Sequence, residues 1–401
     1  MNRNFSVLLL FGVTLWSCAQ FPTQYERIEA DRIRLLDFMY EPPDAAPGDS
    51  VTLRAVFAGK PVSADAVTWR VSWKVVKNAM GIDTAFEEEP LPATVTNGNF
   101  SENTSCIEVR FVVPENCIEQ SPMIPDRWPS VLPDALQAAI PEEFAAMSKQ
   151  QLLGMMNWIT AEGVKGVTVD SAAMARAEEM TPGLTENLPF VAQVFTVPIR
   201  IYADVKGSHR IQSDYTVGYS SRLAQWPGVQ VFENTNPRID SVGIYRVEGN
   251  GIMRFDPKDE NASFTRLSLA SEDTTRITID TGYTYFVTAF TGKYDTVFTL
   301  GDMMEGVPPM RTEEHTAEWL FQMPPDETED LSPNDLMNIG SIGDLDAVLL
   351  PPRKSAVRHF TLWVQVTDSK LGVLNRSQGS VLAEIHGVFE YTDAYLAQFR
   401  K

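Results

Sequence analysis

Between Val51 and Phe57 the chain reads Val-Thr-Leu-Arg-Ala-Val-Phe, with Val51, Leu53, Ala55 and Phe57 on one side and Thr52, Arg54 and Val56 on the other. An apolar period of two is the mark of a β-strand with one buried face, and such a strand needs both a sheet and an apolar cover. The same alternation returns at Trp69, Val71, Trp73 and Val75, and at Ile107, Val109, Phe111 and Val113. It returns again at Val197, Ile199, Ile201, Ala203 and Val205, at Phe360, Leu362, Val364 and Val366, and at Val381, Ala383, Ile385 and Phe389. A chain patterned this way over most of its length is expected to be mainly β, with sheets packed face to face. No repeat of 20 to 50 residues is present, so a solenoid or propeller is not expected.

The punctuation between strands sets the expected organisation. Pro42-Pro43 and Pro47-Gly48-Asp49 mark a turn before the strand at Val51, and Asn97-Gly98 is a hairpin signal. From Pro133 to Met180 the chain turns rich in Ala, Met, Gln and Leu. Pro141-Glu142-Glu143 suits a helix start, Phe144, Met147, Leu152, Met155, Met156 and Ile159 recur near helical spacing, and Pro182-Gly183 stops a second helix. This is expected to be a helical insertion at about 130–182 within a first sandwich spanning 31–225. Asn234-Thr235-Asn236-Pro237 reads as a junction, after which 234–401 forms a second sandwich. From Thr312 to Pro352 there are ten acidic residues and no Lys or Arg, punctuated by prolines, and a long acidic loop is expected at about 301–355.

The Pro47-Gly48-Asp49-Ser50-Val51-Thr52-Leu53 opening and the strand bearing Trp69 and Trp73 resemble a bacterial immunoglobulin-like module. The stretch Thr361-Leu362-Trp363-Val364-Gln365-Val366-Thr367-Asp368 and the closing strand resemble the end of a PKD-like or immunoglobulin-like repeat. The resemblance implies two immunoglobulin-like β-sandwich domains. The paired cysteines that join the sheets of many such domains are absent.

The first residues read as a secretory leader, with Arg3 followed by a short, mostly apolar run from Phe5 to Trp16. That run is shorter than the roughly 20 residues a membrane-spanning helix needs. Leu15-Trp16-Ser17-Cys18 resembles the bacterial lipobox, with Trp16 departing from the usual small or branched residue. The resemblance implies that residues 1–17 are removed, that Cys18 carries lipid such as palmitate, and that 18–30 is a tether. Ala19 after the cysteine implies the outer membrane in the sorting pattern of such lipoproteins. More than one acyl chain makes such an anchor stable.

With 33 Lys and Arg against 53 Asp and Glu, the net charge is −20, which disfavours nucleic acid and anionic lipid heads as partners. Besides Cys18 the chain has Cys106 and Cys117. If Ile107 to Val113 is one extended strand, Cys106 to Val113 spans about 23 Å and the return to Cys117 recovers at most ~14 Å. A disulfide needs Cα atoms within about 7 Å, so pairing requires a shorter strand.

No phosphate loop, dinucleotide fingerprint, nucleophile elbow or zinc-protease motif occurs, so no catalytic residue, metal site or cofactor is expected. Glu313-Glu314-His315-Thr316-Ala317-Glu318 is the densest carboxylate–imidazole cluster and is expected to be a solvated loop, with a metal or acid–base site as its functional alternative. Asp256-Pro257-Lys258-Asp259-Glu260-Asn261 is expected to be an acidic turn that lacks the pattern of an EF-hand loop, with calcium binding through its oxygens as the alternative. Met155, Met156 and Trp158 on the expected insertion are candidates for contacting a partner. The favoured expectation is a non-catalytic envelope lipoprotein that binds or scaffolds an envelope protein. A carbohydrate-binding surface protein is the alternative and needs an exposed aromatic row. A metal-dependent hydrolase needs His315, His359 and His386 to converge with the acidic segment.

Overall fold

A computed structural model describes residues 27–78, 85–118, 196–205, 209–219, 234–249, 263–270, 273–292, 294–298, 310–332, 335–354, 357–368 and 379–399, with isolated positions at 146–148, 150–151, 154, 179 and 221. These residues are mainly strand, in several largely antiparallel sheets that pack as β-sandwiches.

The first pair of sheets is built from β1 (Ile33–Glu41), β2 (Ser50–Gly59), β3 (Val67–Asn78), β4 (Ala85–Leu91), β5 (Ala93–Gly98), β6 (Thr104–Val112), β7 (Val197–Val205) and β8 (His209–Val217). One sheet has the order β1-β2-β6-β5 and the other β4-β3-β7-β8. The chain changes sheet between β4 and β5 at Pro92, a residue that cannot donate to a continuing ladder. Alternate residues of both sheets, including Leu53, Phe57, Ile107, Val109, Trp73, Ile199 and Tyr215, fill one buried core. The hydroxyls of Tyr40 and Tyr215 reach Ser213 Oγ at 2.6 Å and the Pro42 carbonyl at 2.9 Å, so neither ring buries an unpaired polar group.

The second pair contains β9 (Arg238–Glu248), β10 (Ser263–Leu267), β11 (Thr274–Ile279), β12 (Tyr283–Gly292), β15 (His315–Gln322), β16 (Asn338–Ser341), β17 (Asp346–Leu350), β18 (His359–Asp368) and β19 (Ser380–Tyr391). Their orders are β10-β9-β12-β17-β16 and β11-β19-β18-β15, with β11 parallel to β19. A separate ribbon pairs β13 (Thr296–Phe298) with β14 (Met310–Thr312). Two short α-helices, α1 (Pro325–Thr328) and α2 (Asp393–Ala397), and a 3-10 turn at Ala64–Ala66 complete the described elements. Val242, Ile244, Val287, Trp319, Phe321, Leu362, Ile385 and Phe389 belong to the second core. Phe360 packs straight across β19 onto Gly387, where a Cβ would lie 2.1 Å from its ring, so only glycine fits there.

A third apolar cluster joins the two sandwiches. Ile28, Leu36, Val56, Ala58 and Cys106 from the first side meet Leu320, Trp363 and Leu382 from the second. The sheet β1-β2-β6-β5 therefore buries both of its faces over this patch, as does β11-β19-β18-β15. The outer face of β4-β3-β7-β8 is by contrast a charged lattice. Arg70 lies over the Tyr202 ring at 4.3 Å and pairs with Glu88, while Arg200 pairs with Glu88 and Asp214.

Three expectations are corrected. Asn97-Gly98 is the end of β5, paired with Ile107 and Cys106, and the reversal falls at residues 99–103. There the Asn97 side chain accepts from the Ala64 amide at 2.7 Å instead of shaping a turn. The segment expected as an acidic loop carries β15, β16 and β17. Trp319 and Phe321 are core residues of β15, and most of the carboxylates lie on solvent faces or in short connections. At the end of the expected tether, the Ile28 amide donates to Phe321 O at 2.8 Å and its side chain is buried in the third cluster. Cys18, the expected acidic turn at Asp256 to Asn261 and most of the expected insertion at about 130–182 lie outside the described residues. Within the insertion, Met147 packs on the first core, and Ser148 and Gln151 exchange side-chain-to-amide bonds at 2.8 and 3.2 Å, the pattern of a helix capping box.

Candidate functional site

The junction between the sandwiches holds the densest polar chemistry among the described residues. A β-bulge at Leu36 interrupts the β1–β2 register between Leu35 and Asp37. A bulge places two successive residues on one side of a strand. Here Leu36 and Asp37 both turn toward the junction, while Leu35, Phe38 and Tyr40 keep to the first core. Asp37 is 3% exposed. The Gln365 amide on β18 donates to its Oδ1 at 2.5 Å, and its Oδ2 has no hydrogen-bond partner. Burial pushes its pKa up to about 7; the Ser380 and Gln365 side chains and the Phe38 amide oppose the rise, and the Glu318 charge adds to it.

Glu384 on β19 is the second buried carboxylate of the junction. Its Oε2 accepts from the Trp363 indole at 2.8 Å and from the Ser101 hydroxyl of the β5–β6 connection. Its Oε1 accepts from Asn103 Nδ2 at 3.0 Å and lies 3.0 Å from His386 Nε2. One carboxylate thus ties both sandwiches together with every bond aimed at it. Asn236 adds a further clasp, donating to the Tyr40 carbonyl at 2.9 Å and accepting from the Ser380 amide at 3.1 Å.

Beside this network a cleft of about 560 Å³ opens between the sandwiches. Asn103, Thr104 and Ser105 line it from one side, and Gln322, His359, Thr361 and His386 from the other. His359 and His386 sit on the paired strands β18 and β19, where Thr361 faces His386 in register. His359 Nδ1 meets Glu327 Oε1 at 2.5 Å. Burial works to raise the Glu327 pKa, but the His359 imidazole and the amides of His359 and Arg358 outweigh it and hold the carboxyl below its ordinary value.

His315 lies elsewhere, with its side chain and that of Glu313 wholly buried. Its Nε2 is 3.1 Å from Glu313 Oε1, its Nδ1 is 2.9 Å from Thr291 Oγ1, and Tyr294 stacks on its ring at 4.3 Å. The stretch expected as a solvated loop is instead packed where it enters β15, with Glu313 and His315 hydrogen-bonded to each other and buried. Two of the three histidines share a cleft and the third does not. Among the described residues no group of three or more His, Cys, Asp or Glu side chains is arranged to hold a metal ion.

Trp73, Trp319 and Trp363 are buried and Trp69 is partly buried, so the described tryptophans make no exposed row. Met155, Met156 and Trp158 lie outside the described residues. Cys106 and Cys117 are free and buried, Cys106 in the junction and Cys117 in the first core. Burial raises both thiol pKa values, that of Cys117 to about 12. Asp37 and Glu384 were not singled out from the sequence. The available signal was an acid set inside an apolar run, as in Leu35-Leu36-Asp37-Phe38-Met39 and Leu382-Ala383-Glu384-Ile385.

No protein-family model matches the chain, and no curated protein matches it.

Proposed function

We propose that this chain is a non-catalytic envelope lipoprotein, anchored through lipid on Cys18, in which two immunoglobulin-like sandwiches are fused into one binding or scaffolding unit. Two topological facts support the immunoglobulin-like part. The order β1-β2-β6-β5 against β4-β3-β7-β8 corresponds to A-B-E-D against C′-C-F-G, with Trp73 buried on the third strand. The set β9-β12-β17-β16 against β19-β18-β15 likewise corresponds to A-B-E-D against G-F-C.

The observation that carries the scaffolding reading is the buried junction. Independent binding modules on a flexible linker do not need an apolar cluster with a four-partner carboxylate between them. A unit that must hold two sets of loops at a fixed separation does, because rigid sheets position loops for binding. The net charge of −20 favours a partner with a basic surface over nucleic acid.

The test is a crosslinking pull-down from cells with tagged full-length protein, beside a Trp363→Asp, Leu382→Asp variant that splits the junction. An envelope protein recovered in fixed ratio with the wild type and lost with the split variant supports the reading. Recovery of glycan alone, or equal recovery with both proteins, rejects it. Labelled palmitate incorporated into the wild type and absent from Cys18→Ala tests the anchor separately.

A further inference from the structure

We propose that the Asp37 carboxyl is a protonation-controlled latch at the junction, whose neutral form closes the two sandwiches on each other and whose ionised form loosens them. The inference rests on the junction being the working joint of the molecule and adds a means of regulating it.

The geometry carries it. Asp37 sits at a bulge that turns it out of its own sandwich and against the sheet of the other. A bulge that re-aims one polar side chain into an apolar contact is a costly placement for a merely solvating residue. Gln365 donates to Oδ1 from across the junction, the Ser380 hydroxyl and the Phe38 amide lie close by, and Oδ2 is buried with no hydrogen-bond partner among the described residues. A carboxylate accepts at both oxygens, whereas a carboxylic acid carries its own proton on one of them. A carboxyl this deeply buried with one oxygen unserved is costlier to hold as the anion than as the neutral acid.

The surrounding charges act the same way. From β15, Glu318 faces the site, partly countered by Arg34 of β1 at 3.7 Å. From β19, Glu384 and its neighbour His386 occupy the same junction. Gln365 of β18 is uncharged, Arg54 of β2 is paired with Glu108, and Glu41 of β1 is engaged by Asn236. No cation is paired with Asp37 itself among the described residues. Opening the junction hydrates the carboxyl and returns it to its ordinary acidity, so ionisation favours the open form. Between the open-form value near 3.8 and the closed-form value of about 7, opening becomes easier by up to about tenfold per pH unit.

The molecule carries its own probe. Cys106 is buried in the junction cluster and Cys117 in the first core, so loosening of the junction exposes the first thiol and not the second. The experiment is maleimide labelling of the full chain from pH 5 to 8, resolved by peptide mass spectrometry, for wild type and Asp37→Asn. The Cys106 rate divided by the Cys117 rate in the wild type is expected to rise by at least about tenfold across this range. In Asp37→Asn the ratio is expected to stay flat. A flat wild-type ratio overturns the proposal, as does an equal rise in both proteins or a parallel rise of Cys117. Should Asp37→Asn not fold, the wild-type ratio still decides, because both opened thiols share the same dependence on thiolate formation. A junction that labels readily at every pH would instead reject the fixed joint, and with it the scaffolding reading.

Discussion

At the residue scale the junction is governed by two carboxylates with opposite satisfaction. Glu384 has partners from Trp363, Ser101, Asn103 and His386, and its removal leaves several buried groups unpaired. Glu384→Ala is therefore expected to destabilise the chain by about 3–5 kcal/mol, measured by urea unfolding. A loss below about 1 kcal/mol would mean that water replaces these bonds readily. Asp37 behaves differently. Its folded-state pKa lies above its unfolded one, so its favourable contribution is complete below the unfolded value near 3.8 and is lost as pH rises through about 7. The associated loss is on the order of 4 kcal/mol at most. Asp37→Asn is expected to flatten the pH dependence of stability between pH 4 and 7, compared with wild type by denaturant midpoints. Unchanged curvature would show that other groups set it.

At the scale of elements, the alternation that announces a strand assumes one buried face, and that assumption explains both what was legible and what was not. The alternate residues Val51, Leu53, Ala55 and Phe57, Ile107, Val109, Phe111 and Val113, and Phe360, Leu362, Val364 and Val366 face the cores as their period implies. Val56, Cys106, Trp363 and Leu382 occupy the opposite faces, which alternation assigns to solvent, and they are buried because a second sandwich lies there. Nothing local in the sequence distinguishes a solvent face from a face covered by a distant part of the chain. The acidic segment departs from the expected loop for a related reason. Its lack of Lys and Arg describes the solvent side of β15 to β17, while Ala317, Trp319, Phe321, Ile339, Ala347 and Leu349 carry the strand signal within it. The bulge at Leu36 left no mark in composition at all. Close packing within elements also yields a prediction. Gly387→Ala drives a Cβ into the Phe360 ring and is expected to cost about 1–3 kcal/mol, read as a lowered midpoint in thermal unfolding. An unchanged midpoint would show that the β18–β19 pair yields at little cost.

At the scale of the whole molecule, the four principal sheets are linked by three apolar clusters, and the middle one turns two sandwiches into a single body. The solvent-facing charges, such as the Arg70, Glu88, Arg200 and Asp214 lattice, contribute little stability individually. Coupling through the junction predicts one cooperative unfolding transition, and Trp363→Ala, at a cost of about 3–5 kcal/mol, is expected to separate it into two. The measurement that tests the fixed joint most directly is the distance distribution between spin labels at Arg210→Cys on β8 and Arg276→Cys on β11, both exposed positions, by double electron–electron resonance on the full chain at pH 5.5. A single narrow distance, broadened in a Trp363→Asp, Leu382→Asp background, is the expected result. A broad distribution in the wild type, unchanged by splitting the junction, would contradict it.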